Sequence, residues 1–132
     1  MSKTTRSEAY ETGMETRRKV LGNAYVDRAN AAATEFDAPF QALITEAAWG
    51  RVWSRPQLTP RERSMITIAL LAALGQDDEL ALHVRATRNT GASADDIREA
   101  LLHVSIYAGV PAANHAIKIA KKTLQEKEAS AP

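Results

Sequence analysis

Cysteine is absent from the 132-residue chain. That removes disulfides, thiolate metal centres, a cysteine nucleophile and any dithiol redox couple. Glycine is scarce, at six residues, and none of the six builds a phosphate-cradling loop, a nucleophile elbow or a dinucleotide fingerprint. Aromatics number only seven, among them Trp49 and Trp53. No sign of charge dominates: seventeen basic residues against sixteen acidic leave +1, which gives no bulk electrostatic case for nucleic acid. The longest apolar run, Met65–Leu74, is ten residues broken only by Thr67, half of the about 20 needed to span a bilayer. The N-terminal MSKTTRSEAYETG has no apolar core of a signal peptide. These absences lead to the expectation of a cytoplasmic protein with neither a membrane nor a nucleic-acid partner.

What is present is globular. Forty-five per cent apolar residues with mixed charge suit one core, so a single domain over residues 1–132 is expected, frayed at about 1–6 and 128–132. No segment alternates polar and apolar residues between turn signals, and the pattern predicts an all-α compact bundle of six or seven short helices. Ser7–Leu21 reads as a helix with Tyr10, Met14, Arg17 and Leu21 on one side and Gly22 as its stop. Ala24–Thr34 reads as a second. Asp37 is expected to cap a third starting near Pro39, with Phe40, Ile44 and Ala47 inward and Arg51 continuing that stripe at 100° per residue. Arg55-Pro56 breaks the chain, and Thr59-Pro60-Arg61-Glu62 restarts it as a capping box. The helix that follows, through Leu74 to a left-handed cap at Gly75, is apolar on nearly all sides and reads as buried. Asp77 or Asp78 is expected to cap the next helix, with Leu80, His83, Val84 and Thr87 inward. Ser93 caps another carrying Ile97, Leu101, Val104 and Ala108, with His103 and Tyr107 on its flank. The last packs Ala113, Ile117, Ala120 and Leu124. Alanine-rich helices bury little area each, and an all-round apolar helix needs cover, so self-association is expected.

Three groups offer chemistry. His83 lies on an apolar stripe, where an imidazole is either a bonded core residue or a proton-transfer group whose pKa its surroundings set. Glu62 has a sufficient explanation as the capping-box carboxylate, and the mouth of a buried helix also suits a group that orients an imidazole. Arg51, Arg55, Arg61 and Arg63 fall within thirteen residues, and every basic residue between Lys19 and Lys118 is arginine. Arginine's planar fork grips carboxylates where lysine is a point charge. Arg51, beside apolar groups, calls for an anionic partner; Trp49 and Trp53 would wall a pocket or fill the core. Glu79 and His83 have i, i+4 spacing, but His103 and His115 supply no third ligand at a recognisable spacing, so no metal site is expected. Residues alone suggest a small anionic substrate and acid–base chemistry without a cofactor.

The runs GMETRRKVLGNAYVDRA, AWGRVWSRPQLTPRERSMITIALLAAL, ELALHVRATRNTGAS and IREALLHVSIYAGVPAANHA resemble the gamma-carboxymuconolactone decarboxylase family, within the alkylhydroperoxidase D-like superfamily. The likeness runs from about Gly13 to Leu124. It implies an alkylhydroperoxidase D-like all-α fold and a trimer or hexamer. The peroxidase branch carries a Cys-x-x-Cys pair between a glutamate and a histidine; Glu62 and His83 fall near those two places, while Leu74–Glu79, where the cysteines would stand, holds none. Peroxidase activity is thereby excluded. The resemblance implies instead loss of CO2 from 4-carboxymuconolactone to give 3-oxoadipate enol-lactone, in protocatechuate breakdown by the beta-ketoadipate pathway. On this reading His83 and Glu62 are catalytic. Arg51 and Arg55 hold the side-chain carboxylate, and Trp49, Tyr107 and Asn114 complete the substrate site. Two alternatives stay open: a relative acting on another lactone or keto acid, and a non-catalytic oligomeric binding or stress protein of the same fold.

Overall fold

The computed structural model describes residues 6–130, with side chains through residue 126. Of the expected frayed ends, residues 1–5 and 131–132 lie outside the described residues, while the backbone at 128–130 continues the last helix. The described residues are all-α and contain no strand. They form two compact units, divided between Leu58 and Thr59.

In the first unit, α1 (Glu8–Leu21) starts where the Ser7 hydroxyl accepts from the Tyr10 N–H and ends at Gly22. Helix α2 (Asn23–Ala32) follows at once. Helix α3 (Ala38–Ile44) runs without a break into a π-helical segment, Thr45–Trp53. Asp37 does not cap α3 as expected; its carboxylate turns back and accepts from the Thr34 N–H at 2.7 Å. The expected inward stripe of Phe40, Ile44 and Ala47 is also corrected. Phe40 and Ala47 are exposed, and Thr45 and Trp49 are buried instead. The cause is polar. Arg17 on α1 is buried, and the segment turns Gln41 and Thr45 toward it, overriding the apolar period. Helix α1 packs on the π-helical segment through two glycines: a Cβ at Gly13 would lie 2.0 Å from the Thr45 carbonyl oxygen, and one at Gly50 would lie 2.1 Å from that of Ala9. At the end of the π-helical segment the Ser54 hydroxyl donates to the Trp49 carbonyl at 2.6 Å, so across to α1 it is the Thr16 hydroxyl that donates to Ser54, also at 2.6 Å.

The second unit packs α4 (Pro60–Leu74), α5 (Asp77–Thr90), α6 (Ala94–Tyr107) and α7 (Val110–Ser130) around one core. Ile68, Leu80, Val84, Ile97 and Leu101 form its centre, with Ala113, Ala116 and Ala120 letting α7 come close. The Thr59–Glu62 capping box and the left-handed Gly75 bound α4 as expected. Ser93 and Asp96 make the same reciprocal pair for α6. Four expectations are corrected. Helix α5 begins from Gln76 without a side-chain cap, because the carboxylate of Asp77 instead bonds His115 Nε2 on α7 at 2.8 Å. On α7, Ala116 rather than Ile117 faces the core, and Ala108 at the end of α6 is exposed. Helix α4 is not enclosed by its own chain: Ser64, Ile68 and Ala72 are buried, but Ile66, Leu70 and Leu74 form an exposed stripe at i, i+4 and i+8.

Candidate functional site

His83 is the one imidazole that the fold buries, with 7 % of its surface exposed. It stands on the covered face of α5 with Leu80, Val84 and Thr87, the stripe the sequence predicts. Desolvation disfavours its charged form and lowers its pKa from 6.5 to about 4. At neutral pH His83 is therefore an uncharged imidazole, a hydrogen-bond donor at one nitrogen and an acceptor at the other.

That burial has a measurable consequence. The unfolded chain protonates His83 near pH 6.5 and the folded chain only near pH 4, so its contribution to stability is complete above pH 6.5 and lost as pH falls to about 4. At 1.36 kcal/mol per unit the loss at pH 4.5 is roughly 2–3 kcal/mol. Urea unfolding at pH 7 and pH 4.5 should show wild type losing that much more than His83→Gln; equal losses would mean that the imidazole is solvated.

Helices α4 and α5 are joined by Gly75 and Gln76 and run antiparallel, since the Ser64 hydroxyl near the start of α4 donates to that of Thr90 at the end of α5 at 2.7 Å. His83 is seven residues from Thr90, and Glu62 lies two residues beyond Ser64 at the same end. At 1.5 Å per residue they stand roughly 13 Å apart along the hairpin. The hairpin does not bring Glu62 to His83. Its carboxylate accepts from the Thr59 N–H at 2.8 Å and from the Thr59 hydroxyl at 2.9 Å, and these bonds lower its pKa.

The other expected site residues spread over both units. Arg51 is 65 % exposed at its side chain and pairs with Glu46 at 3.2 Å. The spacing is i, i+5, which the wider π-helical turn stacks, and for the same reason Arg51 leaves the stripe that 100° per residue assigned to it. Arg55 is exposed. Trp49 is buried against Trp53, their rings 5.2 Å apart. In the second unit Tyr107 stacks on His103 at 5.6 Å and is 83 % exposed, and Asn114 is exposed on α7. Arg61, read as one of an anion-binding cluster, is occupied by Asp96 through a two-bond fork of 2.7 and 2.6 Å. Among the described residues no three His, Cys, Asp or Glu groups gather to hold a metal ion, and no helix is long and apolar enough to cross a membrane.

One charged residue was passed over as part of a helix face. Arg17 is 4 % exposed, and its hydrogen-bond partners are neutral: NH1 donates to Thr45 Oγ1 at 3.4 Å and NH2 to Gln41 Oε1 at 3.3 Å. Burial lowers its pKa. The signal was available, since an arginine in register with Tyr10 and Met14 sits on the inward side of α1.

This all-helical chain belongs to the carboxymuconolactone decarboxylase family, whose sequence profile matches residues 38–122. Among individual relatives, a 4-carboxymuconolactone decarboxylase of Acinetobacter baylyi is 44 % identical over 119 residues, covering 90 % of this chain and 89 % of that protein. A nitrosuccinic acid decarboxylase of Metarhizium robertsii is 41 % identical over 117 residues, 89 % of this chain and 82 % of that one.

Proposed function

We propose that this protein is a carboxy-lyase that converts 4-carboxymuconolactone to 3-oxoadipate enol-lactone and CO2 in the beta-ketoadipate route of protocatechuate catabolism. The observation that carries the reading is the 44 % identity to a decarboxylase of that name over nine-tenths of both chains. The chemistry agrees with it. The bond to the departing carboxylate breaks at a ring carbon conjugated through C=C to the lactone carbonyl. Its electron pair moves onto that carbonyl oxygen, and a proton then adds at the carbon alpha to the carbonyl. The substrate thus supplies its own electron sink, as the nitro group of nitrosuccinic acid would in the relative's substrate.

His83 takes the role of hydrogen-bond donor to the developing oxyanion. Its lowered pKa favours this over delivery of a proton from an imidazolium, because a neutral N–H can polarise a carbonyl without being spent. Arg51 and Arg55 are assigned to the retained carboxylate, Trp49 to the wall of the substrate site, and Tyr107 and Asn114 to the lactone oxygens. Glu62 keeps its capping task. The exposed apolar stripe of α4, with Ile106 and Val110 also bare, supports a homo-oligomer; a trimer or hexamer is what the family resemblance implies, and a cytoplasmic location is proposed with it.

The test is CO2 release from freshly generated 4-carboxymuconolactone, with nitrosuccinate as a second substrate and with and without a strong chelator. Rapid release from the lactone, unchanged by chelation, is expected. Release from nitrosuccinate alone would move the substrate, loss on chelation would overturn the metal-free mechanism, and no release from either would overturn the enzyme.

A further inference from the structure

The first unit holds a cavity of about 350 Å³ whose lining includes Arg6, Tyr10, Arg17, Asn30, Gln41 and Thr45. Among its described lining residues two are arginines and none is acidic. Arg6 lies over the Tyr10 ring at 4.1 Å from the centroid, which holds one cation at the wall. Arg17 is the second. A guanidinium offers five N–H donors. Two of those on Arg17 meet acceptors, both at long range, and its Nε is buried without a hydrogen-bond partner among the described residues. No carboxylate among the described residues pairs with it. A buried cation is normally paired, so this arrangement is one half of an ion pair.

We propose that this cavity is a binding site for a small dicarboxylate, one carboxylate gripped by Arg17 and the other drawn to Arg6. The remaining groups fit that class. Asn30 and Gln41 offer neutral polar contacts, while Met14, Ala33, Ala38 and Ala42 give an apolar wall for a short carbon skeleton. The planar fork of Arg17 matches a carboxylate in two-bond fashion. The volume falls within the range of small-molecule sites. None of these lining residues is among those assigned above to the reacting lactone, so this is a second site; the proposal rests on the decarboxylase reading only for which diacid reaches it, since 4-carboxymuconolactone and nitrosuccinic acid both carry two carboxyl groups.

The probe is adipate, an unreactive six-carbon diacid, added to the full-length protein and followed by calorimetry and by ¹⁵N NMR of arginine Nε–H groups. Adipate is expected to shift the Arg17 Nε–H resonance, assigned by its loss in Arg17→Lys, and to bind at least tenfold tighter than hexanoate. Arg6→Gln, a change at an exposed side chain, should weaken adipate about tenfold, and Ala42→Leu, which fills the cavity, should abolish binding. An unmoved Arg17 signal at saturating adipate, or undiminished binding in both Arg6→Gln and Ala42→Leu, would overturn the site. Tighter binding of inorganic phosphate would overturn the dicarboxylate assignment. If wild type shifts its Arg17 signal with adipate yet releases no CO2 from the lactone, the decarboxylase reading fails and the diacid site stands. CO2 release with an unmoved Arg17 signal gives the converse.

Discussion

Replacing His83 with alanine should lower CO2 release from 4-carboxymuconolactone by about 10²–10³-fold, the usual loss for one well-aimed oxyanion donor. The argument starts from where the imidazole sits. Helix α5 carries it on a stripe with Leu80, Val84 and Thr87, all buried, and removal from water holds it neutral at pH 7. A neutral imidazole donates a hydrogen bond to a carbonyl oxygen gaining charge, and its environment needs no reorganisation as that charge develops. Two further results separate this role from proton delivery. His83→Gln keeps an N–H donor at similar reach and should recover about tenfold over alanine, whereas a proton-transfer role would leave glutamine as poor as alanine. The acid limb of kcat/KM in wild type should lie well below pH 6, because His83 stays neutral in the free protein until the pH falls near 4. Near-normal turnover in a folded His83→Ala protein would remove His83 from the mechanism.

Gly13→Ala and Gly50→Ala should each destabilise the first unit by roughly 2–4 kcal/mol, beyond the usual cost of overpacking, and lower Tm by about 10 °C. The atoms in the way are the backbone carbonyls of Thr45 and Ala9, 2.0 and 2.1 Å from the added methyl. A carbonyl within a helix cannot rotate aside, so α1 and the π-helical segment must separate by an ångström or more and give up the Thr16–Ser54 bond between them. Gly91→Ala serves as the comparison. It meets nothing within 4 Å and has φ +87°, so only the left-handed backbone penalty of about 1–2 kcal/mol applies. Scanning calorimetry of the three variants would decide it. Equal small shifts would mean that the glycine contact is looser than the geometry requires.

The second unit was largely legible in the sequence, because its signals are local and agree with one another. Thr59 and Ser93 each precede a carboxylate by three residues, Gly75 and Gly91 stand where left-handed caps are needed, and the stripe carrying His83 keeps a 3.6-residue period. Asp77 was misjudged for a reason absent from local pattern: a partner 38 positions away, His115, holds its carboxylate. The first unit resisted reading because two local rules fail there. A uniform 100° advance does not hold across a π-helical segment, which displaced Arg51, and apolar periodicity gave way to the demand of Arg17 for polar neighbours. Gly13 was the missed clue. A glycine inside a helix costs about 1 kcal/mol against alanine, and here it marks close approach of another backbone.

Asp96 joins two beginnings. Its Oδ2 accepts from the Ser93 N–H that opens α6, and both its oxygens accept from Arg61 in the first turn of α4. Helix ends ordinarily fray one at a time, each on its own free-energy scale. Here the first turns of α4 and α6 share a single carboxylate, so unwinding either one loosens the anchor of the other. The end of the bundle that carries Thr59 and Ser93 should therefore open as one cooperative element, its amides exchanging with solvent in step.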